Sequence, residues 1–397
     1  MPNFIAKNLK DKVYPFGHDG VQFLWEAQSK SERLIYTQNG DEKFFIVVKK
    51  TGDGKNFVIK GEKLTKPDRI GLLQQALCVY RDENTTDVVS QAFAVKNKQL
   101  TQKINTIVDI KEFLSQITNL REKYSKIFIE IGFGSGRHLL FQAQNHPDAL
   151  FIGIEVYKPS IEQVAKLAHA KNLENIRVIN TDARLLLSLI ASNSVDKIFL
   201  HFPVPWEKAE YRRVISEAFA LECERVLKVG GTFELRTDVR EYCDFGLHHF
   251  LNLTMPKIKL FKNRDLAVSS KYEDRWKREN KDIYDMLYTC NITSDELSLN
   301  GNLDFDKSYY VSKIISNFKN ETIKQSDYFL HFEEIFTIDE TNALLKISFG
   351  AFNKPEQCFI KISPDSTEYF IKRPILTREN LKAHEKLKEY LAYAANY

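Results

Sequence analysis

Cysteine is scarce in this 397-residue chain: five residues, far apart, with no CxxC pair among them. That pattern supports neither a zinc ribbon nor a thioredoxin-type redox centre, so no metal is expected. An odd, scattered set of thiols suits a reducing cytoplasm, the expected location. Long apolar runs are missing too. None approaches the ~20 residues that span a bilayer, and the opening MPNFIAKNLKDKVYPFG carries no apolar stretch of the secretory kind, so no membrane partner is expected. The net charge, +4, is too small to imply a nucleic-acid partner unless it is concentrated locally. Glycine is sparse at 16 residues, yet four fall between Gly132 and Gly153. Glycine marks places where the backbone bends sharply or a ligand comes close, which directs attention to the middle of the chain. The rest, 43% apolar and 28% charged, is ordinary globular composition, and the length suggests two or three domains.

The first hundred residues contain short β-rich runs (LIYTQ, FFIVVKK, FVIKGEK) with Asn39-Gly40 and Asp53-Gly54 between them as hairpin signals, and a helical close, GLLQQALCVY. A polar stretch near residue 100, VKNKQLTQKINT, reads as a linker. From about 106 the pattern alternates. IVDIKEFLSQI is helical, and the strand candidates IFIEI, LFIGIE, IRVIN, DKIFLHF and FELRT are each followed by a helical stretch. One such helix carries Ile161, Val164, Ala165 and Ala168 on one stripe; another carries Ile215, Phe219, Cys223, Val226 and Leu227 before an expected stop at Gly230-Gly231. Alternating apolar strands and amphipathic helices imply a mostly parallel, doubly wound sheet. IYDMLYTCNI reads as a late edge strand. After about 300, four β runs and a terminal helix, LKAHEKLKEYLAYA, replace the alternation. The expectation is three domains: a β-rich extension over 1–105, an α/β Rossmann-like domain over 106–298, and an α+β extension over 299–397.

Glu130-Ile-Gly132-Phe-Gly134-Ser-Gly136 closes one strand and opens a helix. The spacing is G-x-G-x-G. A dinucleotide fingerprint would need glycine where Arg137 stands. An acid two residues before the first glycine makes the run similar to motif I of class I S-adenosylmethionine-dependent methyltransferases. The next strand ends in Gly153-Ile154-Glu155, where a carboxylate can accept bonds from ribose hydroxyls. The third ends in Asn180-Thr181-Asp182-Ala183, where one can meet an adenine amino group. The fourth runs into His201-Phe202-Pro203-Val204-Pro205-Trp206-Glu207-Lys208, followed by Arg212 and Arg213. Two prolines fix an extended backbone, tryptophan offers a flat face, and three cations follow, a combination suited to a base beside phosphates.

Taken together, EIGFGSG at 130–136, GIEV at 153–156, DA at 182–183, FPVPWEK at 202–208, Arg212-Arg213, Thr237-Asp238 and SKYEDR at 270–275 resemble, in order, the signatures of the bacterial tRNA (guanine-N7-)-methyltransferase family. The resemblance covers roughly 106–295. It implies a class I methyltransferase fold, S-adenosylmethionine as cofactor and tRNA as partner, with methylation at N7 of a variable-loop guanine. It implies cofactor contacts at Glu130, Glu155 and Asp182, with the glycines Gly132, Gly134 and Gly136 and with Ala183 beside them. Guanine or tRNA contacts are implied at Lys208, Arg212, Arg213, Asp238, Ser270, Lys271, Tyr272, Glu273 and Arg275. Ser270 replaces the usual threonine and keeps the hydroxyl.

Val204 is the departure. The family usually has aspartate between the two prolines. Either turnover is lost and a tRNA-binding protein remains, or that carboxylate is not needed for transfer itself. Guanine N7 carries no proton, so no general base is required, and the reaction is an in-line displacement that depends on alignment. Carboxylates such as Asp238 or Glu273 could then stabilise the positive charge developing on the base. A class I methyltransferase acting on another RNA is a further alternative. Between residues 257 and 281, nine Lys/Arg face four acids, so positive charge is concentrated beside the SKYEDR segment. The flanking extensions lie outside the resemblance and read either as added RNA-binding surface or as stability or oligomerisation modules.

Overall fold

Strands that are apolar along their whole length demand cover on both faces, and Ala149–Ile154 is buried at every position. The computed structural model describes residues 1–93, 105–306 and 309–396. They divide into two compact units, one within 101–298, the other built from 1–100 together with 299–397. The linker expected near residue 100 lies largely outside the described residues.

The central unit has one eight-stranded sheet, ordered Lys257–Lys262, Tyr284–Thr289, Leu227–Thr237, Val195–His201, Lys126–Ile131, Ala149–Ile154, Ile176–Ile179, Ile107–Val108. The last six in this order pair in parallel. Tyr284–Thr289 is antiparallel to Leu227–Thr237 and to Lys257–Lys262. The strand order reverses around Lys126–Ile131, whose neighbours were laid down by chain running to opposite sides. At such a point a crevice opens beyond the carboxyl ends of the strands.

The helix Lys158–Ala170 buries Ile161, Val164, Ala165 and Ala168, as its stripe predicts, each large side chain contributing ~1.5–3 kcal/mol of transfer free energy. The helix Glu217–Val226 is capped by Ser216, whose hydroxyl accepts from Phe219 N–H. It ends before Gly230-Gly231. Those glycines fall inside Leu227–Thr237, where the pairing register with Val195–His201 slips and Gly230 takes φ +84°. IYDMLYTCNI is not the edge strand either. The edge is Lys257–Lys262, whose lysines discourage edge-to-edge pairing. Sequence reading saw that segment only as charge, because three lysines mask its alternation.

In the second unit the two flanking extensions share one sheet of twelve strands. Val21–Gln28, Glu32–Asn39, Glu42–Lys50 and Phe57–Gly61 form an antiparallel run, and Phe329–Thr337, Ala343–Gly350, Glu356–Ile362 and Thr367–Phe370 form another. They meet where Thr337 pairs with Gln28. A common apolar cluster seals the join: Ala27, Leu34, Tyr36, Phe45 and Val47 pack with Phe336, Leu344 and Phe359. The structure therefore has one flanking unit where the sequence reading expects two separate domains. The join is made between residues some 300 apart, and no local pattern announces it.

Deleting residues 299–397 should remove five of this sheet's twelve strands. In hydrogen exchange, amides of residues 21–50 in the 1–298 fragment should lose protection by about a hundredfold or more, while residues 126–154 keep theirs. Full protection over 21–50 in the fragment would show that the N-terminal run stands alone.

Candidate active site

The strand Lys126–Ile131 leads into the glycine turn, and the helix Arg137–Asn145 follows. Gly132, Gly134 and Gly136 have φ of +69°, +52° and +70°, a region that side chains disfavour. Their surroundings differ. A Cβ at Gly132 or Gly134 would meet nothing within 4 Å, whereas one at Gly136 would lie 2.2 Å from Val164 Cγ2. The first two glycines keep a wall open; the third lets the helix close on Lys158–Ala170.

Glu155 caps the end of Ala149–Ile154. Its Oε2 accepts from Gly134 N–H (3.1 Å) and its Oε1 from Val156 and Tyr157 N–H (2.8 and 3.0 Å). Asp182 caps the short helix Ala183–Leu187 and is gripped by Arg184, whose Nε reaches Oδ1 (2.9 Å) and whose second guanidinium nitrogen reaches Oδ2 (2.6 Å). That bond raises the Arg184 guanidinium above its ordinary value. Glu130 behaves differently. It is 4% exposed, lies behind the wall, and its Oε2 sits 2.7 Å from His138 Nδ1.

Beyond Val195–His201 the chain turns through Phe202 (φ +49°) and Trp206 (φ +44°), which bracket Pro203-Val204-Pro205. Non-glycine residues held there cost ~1–3 kcal/mol each and cluster at functional sites. Val204 is 61% exposed. Arg213 holds the turn: buried, it donates from Nε to Pro205 O (2.8 Å), pairs with Glu210 (2.9 Å) and lies over Phe245 (4.4 Å). Of the cations expected to meet substrate, Arg213 is thus a structural anchor. Lys208 and Arg212 are exposed, with Arg212 over Trp206 at 5.0 Å.

Asp238 follows Leu227–Thr237 and pairs with Lys281 at 3.4 Å; Lys281 Nζ also lies 3.6 Å from the Trp276 ring centre. Trp276 belongs to the helix Lys271–Arg278. Ser270 caps that helix by accepting from Glu273 N–H (3.0 Å), the serine half of an S-x-x-E capping pattern whose glutamate side chain turns inward instead of back to the cap. Glu273 does not reach the cleft. It is 1% exposed, and Oε1 binds Arg236 (2.9 Å) and Lys277 (3.1 Å). Arg275 is exposed and pairs with Glu279 at 3.0 Å. The side chains of Lys271 and Tyr272 lie outside the described part. Arg137, noted in the sequence only as a missing glycine, pairs with Asp274 and donates to Ser269 O, tying the glycine-loop helix to this one. The Ser269 hydroxyl and Arg137 hold the Asp274 carboxyl below its usual range.

A cleft of about 750 Å³ gathers these parts: Gly132, Gly134, Glu155, Asp182, Ala183, Arg184, residues 203–207, Asp238, Trp276 and Lys281. Its size is that of a small-molecule site, roughly 300–1,000 Å³. Glu130, Gly136, Arg213, Ser270 and Glu273 stand behind the lining, and sequence reading could not separate wall from support. It also missed His138, Arg184 and Arg236, whose roles rest on pairings between distant residues. Under the floor, Glu234 joins His201 (3.1 Å), Lys197 (3.3 Å) and Arg264 (3.1 Å). Burial alone would raise its carboxyl, but these three partners hold it well below the usual range. Among the described residues no group of three His, Cys, Asp or Glu is placed to hold a metal, and no helix is long and apolar enough to cross a membrane.

Residues 124–286 match a family model described as "Putative methyltransferase". A tRNA (guanine-N(7)-)-methyltransferase of Campylobacter fetus subsp. fetus (strain 82-40) is 51% identical over 398 residues, covering 99% of each chain. One from Campylobacter jejuni (strain RM1221) is 49% identical over 98% of each. One from Wolinella succinogenes is 33% identical over 99% of this chain and all of its own length.

The depressed Glu234 carboxyl sets a sign for acid stability. Its stabilising charge is present above the ordinary glutamate value and is lost as pH falls below about 4. Glu234→Gln should cost ~2 kcal/mol at pH 7, since it removes the carboxylate that Lys197 and Arg264 share, and the gap to the parent should narrow below pH about 4. Denaturation at several pH values reads this; a gap constant down to pH 3 would sink it.

Proposed function

Because this chain belongs to the tRNA (guanine-N(7)-)-methyltransferase family, we propose that it transfers a methyl group from S-adenosylmethionine to N7 of the variable-loop guanine of tRNA. The carrying observation is that one cleft holds an open glycine turn, two strand-end carboxylates, two tryptophans and Asp238. S-adenosylmethionine fits the chemistry of this wall. The missing Cβ atoms at Gly132 and Gly134 leave room for a flat ligand, and Glu155 and Asp182 supply acceptors for its ribose and adenine. When bound, it supplies a methyl group activated on a sulfonium.

Everything else falls to the chain's own residues. Glu155, Asp182, Ala183 and the two open glycines hold the donor, with Glu130 and Gly136 supporting the turn from behind. N7 of guanine is a bare acceptor, so no side chain has to remove a proton before attack. Positioning then dominates. Trp206 and Trp276 offer flat faces to a base taken out of its stack. Asp238 is the carboxylate that meets the ring as positive charge develops on it. Glu273 and Ser270 act by position, setting the helix that carries Trp276. Lys208, Arg212, Arg275, Lys271 and the lysines of the Lys257–Lys262 edge supply phosphate contacts, and Tyr272 belongs with the base contacts. A-form RNA conceals its major-groove edge, which is why a loop guanine is the accessible target.

Val204 favours the alternative of a tRNA-binding protein with weak turnover, and one assay separates the two. With labelled S-adenosylmethionine and two transcripts differing only in guanine or adenine at the variable-loop position, label should enter the first alone. Label in both, or in neither, defeats the reading. Asp238→Asn should lower kcat about ten- to a hundredfold while leaving donor affinity within about twofold. Val204→Asp should change kcat by less than about threefold; full activity found only in that variant would mean that the parent is the binding protein.

A further inference from the structure

The sulfonium donor of the proposed reaction is cationic, and the aspartate that the family usually has between the two prolines is valine here. Four carboxylates line the cleft: Glu155, Asp182, Glu207 and Asp238. Three already share their charge with groups of the protein. Asp182 holds Arg184 through both oxygens, and Asp238 pairs with Lys281. Glu155 spreads its charge over three backbone N–H groups. Glu207 has no ion pair and no hydrogen bond among the described residues. The two cations in the lining, Arg184 and Lys281, are each taken by another acid.

Glu207 is three residues after Val204 on the same rigid turn. Trp206 bends the backbone there with φ +44°, and residues 203–207 all reach the lining. Glu207 is the carboxylate that this turn contributes to the lining. In the F-P-D-P-W-x-K signature its place is the unspecified one, which makes the acid a property of this chain rather than of the pattern. We propose that Glu207 supplies the negative charge toward the donor's sulfonium that Val204 cannot. The inference rests on the functional reading above and names the residue that makes it work without the usual aspartate. On this reading the charge has moved along the turn.

The test compares S-adenosylmethionine with S-adenosylhomocysteine, which has the same adenosine and amino acid but a neutral sulfur. Calorimetry on the full chain gives both dissociation constants. Glu207→Gln should weaken S-adenosylmethionine about tenfold, roughly 1.4 kcal/mol, and leave S-adenosylhomocysteine within about twofold. The loss should shrink as salt rises, since the group is exposed. Val204→Asp in the Glu207→Gln background should recover most of the lost affinity. Equal weakening of both ligands, no weakening of either, or no recovery in the double variant would each overturn the proposal. A parent chain that binds neither ligand would instead bring down the functional reading itself, so the two failures are distinct.

Discussion

Arg236 is wholly enclosed in the central unit, yet it carries a permanent charge. One guanidinium nitrogen binds both oxygens of Asp285 (2.6 and 2.8 Å); the other binds Glu273 Oε1 (2.9 Å) and Arg264 O (2.8 Å). Three elements meet on it: the last parallel strand Leu227–Thr237, the antiparallel Tyr284–Thr289 and the helix Lys271–Arg278. Taking these charges out of water is costly, and a buried network of this kind is weak evidence of added stability. Its value is geometric. The pairing ties the three elements together, and the helix among them carries Trp276 into the cleft lining, with Lys281 just past its end. The Ser270 cap works with it, since the same Glu273 whose N–H is capped sends its side chain inward to Arg236.

The opposite wall follows the same logic with different means. Carboxylates that sequence reasoning treats alike take three distinct states. Glu130 is buried on His138, Asp182 is clamped by Arg184, and Glu155 is bonded by the backbone of the glycine turn and of its own loop. Only groups whose partners leave them facing the cleft remain for a ligand. Arg137 and Asp274 connect the two walls, so the helix opened by the glycine turn and the helix held by Arg236 are set relative to each other by a charge pair of their own. A site of this type is pre-organised by ion pairs lying one layer behind the residues that touch the ligand.

The flanking unit is held by other forces. Aromatic side chains from both ends of the chain interlock, with Phe45 against Phe359 at 5.2 Å and Tyr36 against Phe370 at 5.0 Å between ring centres. A sheet completed by strands separated by the whole central unit forms only when loop closure over a long span is offset by burial. Each extension also has an apolar core of its own, around Phe4, Phe23 and Tyr80 in one and Leu330, Ile347 and Leu387 in the other, and the shared aromatic cluster joins the two.

Local chemistry is what the sequence by itself determined. Alternating apolar strands and striped helices specify a parallel α/β unit, and G-x-G-x-G with acids at the next two strand ends locates the cleft, because backbone reach and side-chain period act within a few residues. Gly132, Glu155, Asp182 and Trp206 were readable in that way, and Asp238 through the family resemblance alone. Tertiary structure alone decided which of the marked residues face the cleft and which support it. It turned Arg213 and Glu273 inward, made the lysine-rich segment an edge strand, and merged the two extensions into one sheet. Each of those outcomes depends on a charge or an apolar face finding its partner across long stretches of chain, and such pairings exist only once the chain has closed on itself.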